Sequence, residues 1–315
     1  MGTDVNTGTD LNLGASANGN ADANGNADAN GFAGAEVNAG PGVGPEAAAA
    51  PPATEHAVVV PRPVADPDLR VFLLHHAAGT HRVYTDWIPH FPPSWEICLL
   101  EAPGRRRLAH LPPAGDAPSL ARFFLAAAAS RLDRPYVLFG HSMGAAVAYE
   151  MLRQLPCSGY PLPRWYGVSA CRPPADPWAG PAPDRSVDRL TDRELRTVLA
   201  EFGALPRRAL AEAVWPRLVP RVRGDFRLAE RWRPPAHAPR TQVPLSVFGG
   251  RDDPVVPPSR LAAWADVTER PGGRHLYEGG HFYFLRQTAE VVAGVVGEIR
   301  RFGAGDDAGP DAPRP

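Results

Sequence analysis

Short apolar runs alternate with amphipathic stretches along residues 67–302. Leu69 to Leu74, Ile97 to Leu100, Tyr136 to Phe139, Trp165 to Val168 and Leu245 to Phe248 are nearly continuous apolar segments, the pattern of strands buried on both faces. Between them, the pattern predicts a short helix from His81 to about Trp87, an alanine-rich helix from Ser119 to Leu132 and another from Ala145 to Gln154; an amphipathic helix from Leu285 to Phe302 follows the last strand. Strands alternating with helices predict an α/β fold, with a mostly parallel central sheet and helices on both faces. Residues 173–235 break the rhythm. They are rich in arginine, bounded by Pro173-Pro174 and Pro234-Pro235, and read as short helices over Asp192 to Phe202, Arg207 to Val214 and Gly224 to Arg231. An insertion of this size between two core strands is expected to form a helical lid or pocket wall.

One junction in this pattern carries chemistry. Gly140-His141-Ser142-Met143-Gly144 joins a predicted strand to a predicted helix, the G-x-S-x-G elbow that exposes a serine hydroxyl on a tight turn. Glycine two residues either side removes a side-chain clash, and the helix N-terminus favours a developing oxyanion. An acid and a histidine follow in the order such a site requires. Gly249-Gly250-Arg251-Asp252-Asp253-Pro254 is a turn after a strand. Asp253 fits a Gly-x-x-Asp-Pro pattern counted from Gly250, whereas Asp252 fits only if the turn starts at Gly249. Gly279-Gly280-His281-Phe282 places a histidine on a glycine-rich loop before the last helix. The expected set is therefore Ser142 as nucleophile, His281 as base and Asp253 as the acid that orients it. The backbone N–H groups of Met143 and Ala77 are the expected oxyanion donors. His141 is expected to pack rather than react. This chemistry calls for neither metal nor cofactor.

Composition changes the picture mainly at the ends. Residues 1–66 are rich in Ala, Gly, Asn and Asp, with Asn-Gly-Asn-Ala-Asp-Ala recurring around residues 18–30. Such a segment cannot bury enough apolar surface to offset its conformational entropy, so a disordered arm is expected, either an inert extension or a docking arm. A disordered tail is expected over 303–315. Arg62 is the first arginine, so the cationic start and apolar stretch of a signal peptide are missing. No apolar run is long enough to span a bilayer. A net charge of −1 gives no bias toward nucleic acid. The chain holds no lysine, and its three cysteines (Cys98, Cys157, Cys171) lack metal-ligand spacing, which suits a reducing cytoplasm.

Taken together, these residues resemble the type II thioesterases that accompany polyketide and nonribosomal peptide synthases. The resemblance covers nearly all of residues 69–302. It runs through Leu74-His75-His76-Ala77-Ala78-Gly79 with Trp87, Pro103-Gly104-Arg105, Tyr136 to Glu150, Arg172-Pro173-Pro174, the stretch from Leu218-Val219-Pro220 to Arg223-Gly224-Asp225-Phe226, and Gly279-Gly280-His281-Phe282. It implies the α/β-hydrolase fold and hydrolysis of acyl thioesters on the phosphopantetheine arm of acyl or peptidyl carrier proteins. The implied role is the editing of stalled or mis-primed synthases. Release of finished products or medium-chain fatty acids, carboxylester hydrolysis, and non-catalytic carrier binding are the alternatives. Carrier proteins are usually acidic, so Arg207, Arg208, Arg221 and Arg223 are candidates for steering them. The chain departs from the family at His75 (usually proline), Ala78 (glycine) and Gly224 (alanine). A positive φ at position 78 would strain an alanine.

Overall fold

A computed structural model describes residue 54 and residues 56–303, apart from 176–185, 204, 206 and 236–237. All of these belong to one unit, Pro45–Pro315. Its centre is a sheet of seven strands: β1 (Val58–Val59), β2 (Leu69–Leu74), β3 (Trp95–Leu100), β4 (Tyr136–His141), β5 (Trp165–Ser169), β6 (Leu245–Gly250) and β7 (Pro271–Tyr277). Their spatial order is β1-β3-β2-β4-β5-β6-β7. Every pairing is parallel except that of β1 with β3.

The alternation of side chains across β2 and β4 divides the core in two. Phe72, Leu74 and Leu138 join α1 (Ala117–Ala128) and α2 (Met143–Ser158) on one face. Val71, Leu73, Val137 and Phe139 join the 3₁₀ helix His81–His90 and the last helix on the other. Full burial of each such side chain contributes roughly 1.5–3 kcal/mol. Helix α2 is buried along Met143–Leu152 because α1 and the insertion pack over it. A single-turn helix, α5 (Pro258–Leu261), follows β6, and the long helix α6 (Thr288–Gly303) follows β7.

Several boundaries differ from the sequence expectation. The arm expected over residues 1–66 lies outside the described residues up to 53, but residues 56–66 are folded. Ala57 is buried, Val58 and Val59 pair with Leu100 and Leu99, and Arg62 donates to the carbonyl of Pro92. Three consecutive valines supplied a strand that the surrounding low-complexity composition concealed. The tail expected from 303 also lies outside, save Gly303 in α6. Strand β7 has no counterpart among the expected strands; it opens on Pro271-Gly272-Gly273, residue types that favour turns. The glycines are required by packing: a Cβ at Gly272 would overlap Ser246 Oγ.

Between β5 and β6 lie α3 (Asp192–Phe202), a 3₁₀ turn at Arg207–Leu210 and α4 (Trp215–Arg231). Thr191 opens α3 with a capping box on Glu194. The helix expected over Arg207–Val214 is only that short turn, whereas the helix expected from Gly224 begins nine residues earlier, at Trp215. Pro216 sits in its first turn, where no N–H is needed. Pro220 forfeits one bond, but Val219 and Val222 are buried on either side of it and hold the helix in place. Among the described residues, no helix is long and apolar enough to cross a membrane.

Candidate active site

The C-terminal ends of β4, β6 and β7 converge. Ser142 sits between β4 and α2 at φ 55°, ψ −118°, a conformation that costs a non-glycine residue energy and persists only when its surroundings enforce it. The flanking glycines show how. A Cβ at Gly140 would overlap the Gly144 carbonyl, and one at Gly144 would overlap the carbonyl of Leu74. The start of α2 is thereby pressed against the end of β2, next to the loop that carries Ala77. The Ser142 N–H is anchored to the Ser169 carbonyl at 2.8 Å. Met143 opens α2, so its N–H has no intrahelical acceptor. The Ala77 N–H has no acceptor among the described residues.

Asp253 and His281 come together. Asp253 is buried at 4 % exposure, and its Oδ2 accepts from His281 Nδ1 at 2.8 Å. Its other oxygen accepts from the N–H groups of Val255 (2.8 Å) and Val256 (3.0 Å). Asp252 points into solvent and joins the site only through its backbone, donating to the Gly279 carbonyl at 3.0 Å. That bond, with Arg251 N–H to Tyr277 O at 2.8 Å, fastens the acid turn to the histidine loop. The contact is so close that a Cβ at Gly250 would overlap the Gly280 carbonyl. With Nδ1–H donated to the carboxylate, His281 Nε2 is left as the proton acceptor. The His281 ring lies 5.0 Å from that of His141, the residue before the serine.

A buried aromatic wall supports this arrangement. His141 is fully buried; its Nδ1 lies 2.7 Å from Ser169 Oγ, which is 2.6 Å from the Tyr283 hydroxyl. Burial, then the neighbouring His281 and His76, pushes the His141 pKa well below the usual histidine range. His76 is packed 4.7 Å from the ring of Phe282 and is lowered to about 4, chiefly by burial. Neither ring is charged near neutrality, so His281 faces neutral imidazoles rather than cations. Ser169 and Tyr283 escaped the sequence reading, because a lone serine at a strand end and a tyrosine after a histidine have no spacing signature.

The insertion roofs the site. Val187, Leu195, Leu199, Trp215, Val219 and Val222 form a cluster with Ala78 of the loop after β2, and Phe282 packs against it. Of the arginines considered for steering, Arg208 is exposed. Arg207's side chain lies outside the described residues. Arg223 is engaged internally by Asp192 and the carbonyls of Val187 and Leu190, and Arg221 by the carbonyl of Ala78. These two are structural.

The model of the Thioesterase domain family matches residues 69–299. The chain belongs to this family. It is 30 % identical over 233 residues to the thioesterase PikA5 of Streptomyces venezuelae, covering 73 % of this chain and 80 % of that one. Among solved structures it resembles the type II thioesterase BorB from the borrelidin biosynthetic cluster, at 28 % identity and a TM-score of 0.69, covering 77 % and 97 % of the two chains. It also resembles the RedJ thioesterase from the prodiginine biosynthetic pathway in Streptomyces coelicolor, at 31 % identity and a TM-score of 0.66, covering 76 % and 92 %. The fold is that of the α/β-hydrolases, and this thioesterase is a hydrolase of thioesters.

Proposed function

We propose that this thioesterase removes acyl groups from the phosphopantetheine arm of carrier proteins in polyketide or nonribosomal peptide assembly, clearing stalled or mis-primed units. Ser142, His281 and Asp253 carry the reaction. The hydrogen bond between buried Asp253 and His281 Nδ1, with the His281 ring 5.0 Å from that of His141, the residue before the strained Ser142, is the observation that carries this reading. Similarity to BorB, a type II thioesterase from a biosynthetic cluster, and to RedJ, a thioesterase from a biosynthetic pathway, supports an assembly-line substrate. The three cysteines are unpaired, which fits a cytoplasmic enzyme.

In the first step Ser142 Oγ bonds to the thioester carbonyl carbon while its proton passes to His281 Nε2. The oxyanion is held by the N–H groups of Ala77 and Met143. The C–S bond then breaks, the thiol leaves with the proton from His281, and an acyl-serine remains. Water attacks that ester, again losing a proton to His281, and the carboxylic acid and free serine are released. Asp253 holds the imidazole in the required tautomer throughout.

The test is intact mass of a holo carrier protein loaded with short acyl groups, incubated with wild type and with Ser142→Ala. Loss of the acyl mass with wild type alone is expected. Equal loss with both would overturn the serine mechanism. Hydrolysis confined to small oxygen esters would overturn the carrier substrate.

A further inference from the structure

A buried ion pair lies behind the oxyanion loop, and the chemistry above does not use it. Asp225, on α4, is 4 % exposed and Arg105, after β3, is 1 % exposed. Asp225 Oδ2 accepts the N–H of Ala78 at 2.7 Å and also the Arg105 guanidinium. Arg105 donates in addition to the carbonyls of Gly79 (3.0 Å) and Pro103 (2.7 Å). One turn earlier on α4, Arg221 donates to the Ala78 carbonyl at 3.3 Å. The roofing helix therefore grips Ala78 by both its N–H and its C=O. Ala78 stands at φ 64°, a left-handed conformation that an alanine leaves unless it is held. The residue before it is Ala77, and a turn of the backbone at position 78 would re-aim its neighbour.

We propose that Asp225, fixed by Arg105, is a positioning residue that clamps Ala78 in the left-handed conformation and so keeps the Ala77 N–H aimed at the oxyanion. Seating of α4 and competence of the oxyanion hole are then a single event, and an enzyme whose roof is displaced is also an enzyme that does not hydrolyse. This rests on the reading of Ser142 as nucleophile and Ala77 as donor.

The experiment measures kcat and KM on a small acyl N-acetylcysteamine thioester, which reports chemistry without carrier docking. The variants are Asp225→Ala, Ala78→Gly, the two combined, and Ser142→Ala, each with a thermal melt. Loss of an oxyanion donor costs about 10²–10³ in kcat, and a donor merely displaced should cost less. Asp225→Ala is expected to lower kcat roughly 30-fold, with KM within about 3-fold of wild type. Glycine reaches positive φ unaided, so in the Ala78→Gly background the same change should cost less than about 5-fold. Should Asp225→Ala not melt cooperatively, Asp225→Leu, close in shape and with no acceptor for the Ala78 N–H, carries the same comparison. An unchanged kcat, or an equal loss in both backgrounds, would overturn the clamp. Equal activity of wild type and Ser142→Ala would instead overturn the serine reading on which it stands.

Discussion

Two adjacent aspartates separate structure from chemistry at the scale of one residue. Asp253 spends both carboxylate oxygens inside the site, on His281 and on the N–H groups of Val255 and Val256, whereas Asp252 leaves its side chain in solvent. Asp253→Asn keeps the volume but presents the wrong partner to Nδ1, and its kcat on an acyl thioester should fall about 10⁴-fold. Asp252→Asn should stay within about 2-fold, since the bond it makes to Gly279 comes from its backbone. A comparable loss in both variants would undo the assignment. The sequence carried this distinction weakly, through the proline that follows Asp253. It carried Ala78 more clearly, because an alanine where glycine is usual marks a backbone position under strain, and φ is indeed positive there. Arg105 and Asp225 both stand in motifs of the family resemblance, yet the sequence carried nothing of their pairing. They lie 120 positions apart, and neither residue type nor local spacing announces a pair made by tertiary packing.

At the scale of elements, glycines show which contacts are fixed and which are free. Gly144 lies where α2 meets β2, and the atom its Cβ would strike is the backbone carbonyl of Leu74, which cannot swing aside. Gly144→Ala should cost about 3 kcal/mol in urea unfolding and abolish activity in whatever folds. Gly224 lies inside α4, where an added Cβ would meet only Pro113 at 3.6 Å, an ordinary contact. Gly224→Ala should stabilise by about 0.5–1 kcal/mol through helix propensity alone. A destabilised Gly224→Ala, or a neutral Gly144→Ala, would contradict these packing assignments. The same contrast explains what was legible beforehand. The core strands and α2 follow from apolar runs and an elbow whose glycines have a local steric reason. The start of α4 and strand β7 were hidden because Pro216, Pro220 and Pro271-Gly272-Gly273 are breakers by local rule, and only burial of Val219, Val222 and the Ser246 neighbourhood overrides that rule.

Over the whole molecule, acid sensitivity follows from where the histidines lie. His75, His76 and His141 are buried, and each has its pKa lowered, by desolvation first; Arg105 adds to this at His75 and His76, and His281 adds to it at His76 and His141. A lowered folded-state pKa means that the unfolded chain binds the proton more readily. Stability is therefore full above the unfolded value of about 6.5 and is lost as pH falls toward the folded value. For His76, lowered to about 4, the loss between pH 7 and pH 5 is about 2 kcal/mol. The groups facing its ring are His141, His281 and Phe282, while its Nδ1 donates to the Ala77 carbonyl at 2.8 Å. A glutamine can make that donation without titrating. In urea unfolding at the two pH values, His76→Gln should thus lose about 2 kcal/mol less than wild type on acidification. An identical drop in the two proteins would mean that the His76 ring accepts its proton in the folded state, and that a cation then stands beside His281.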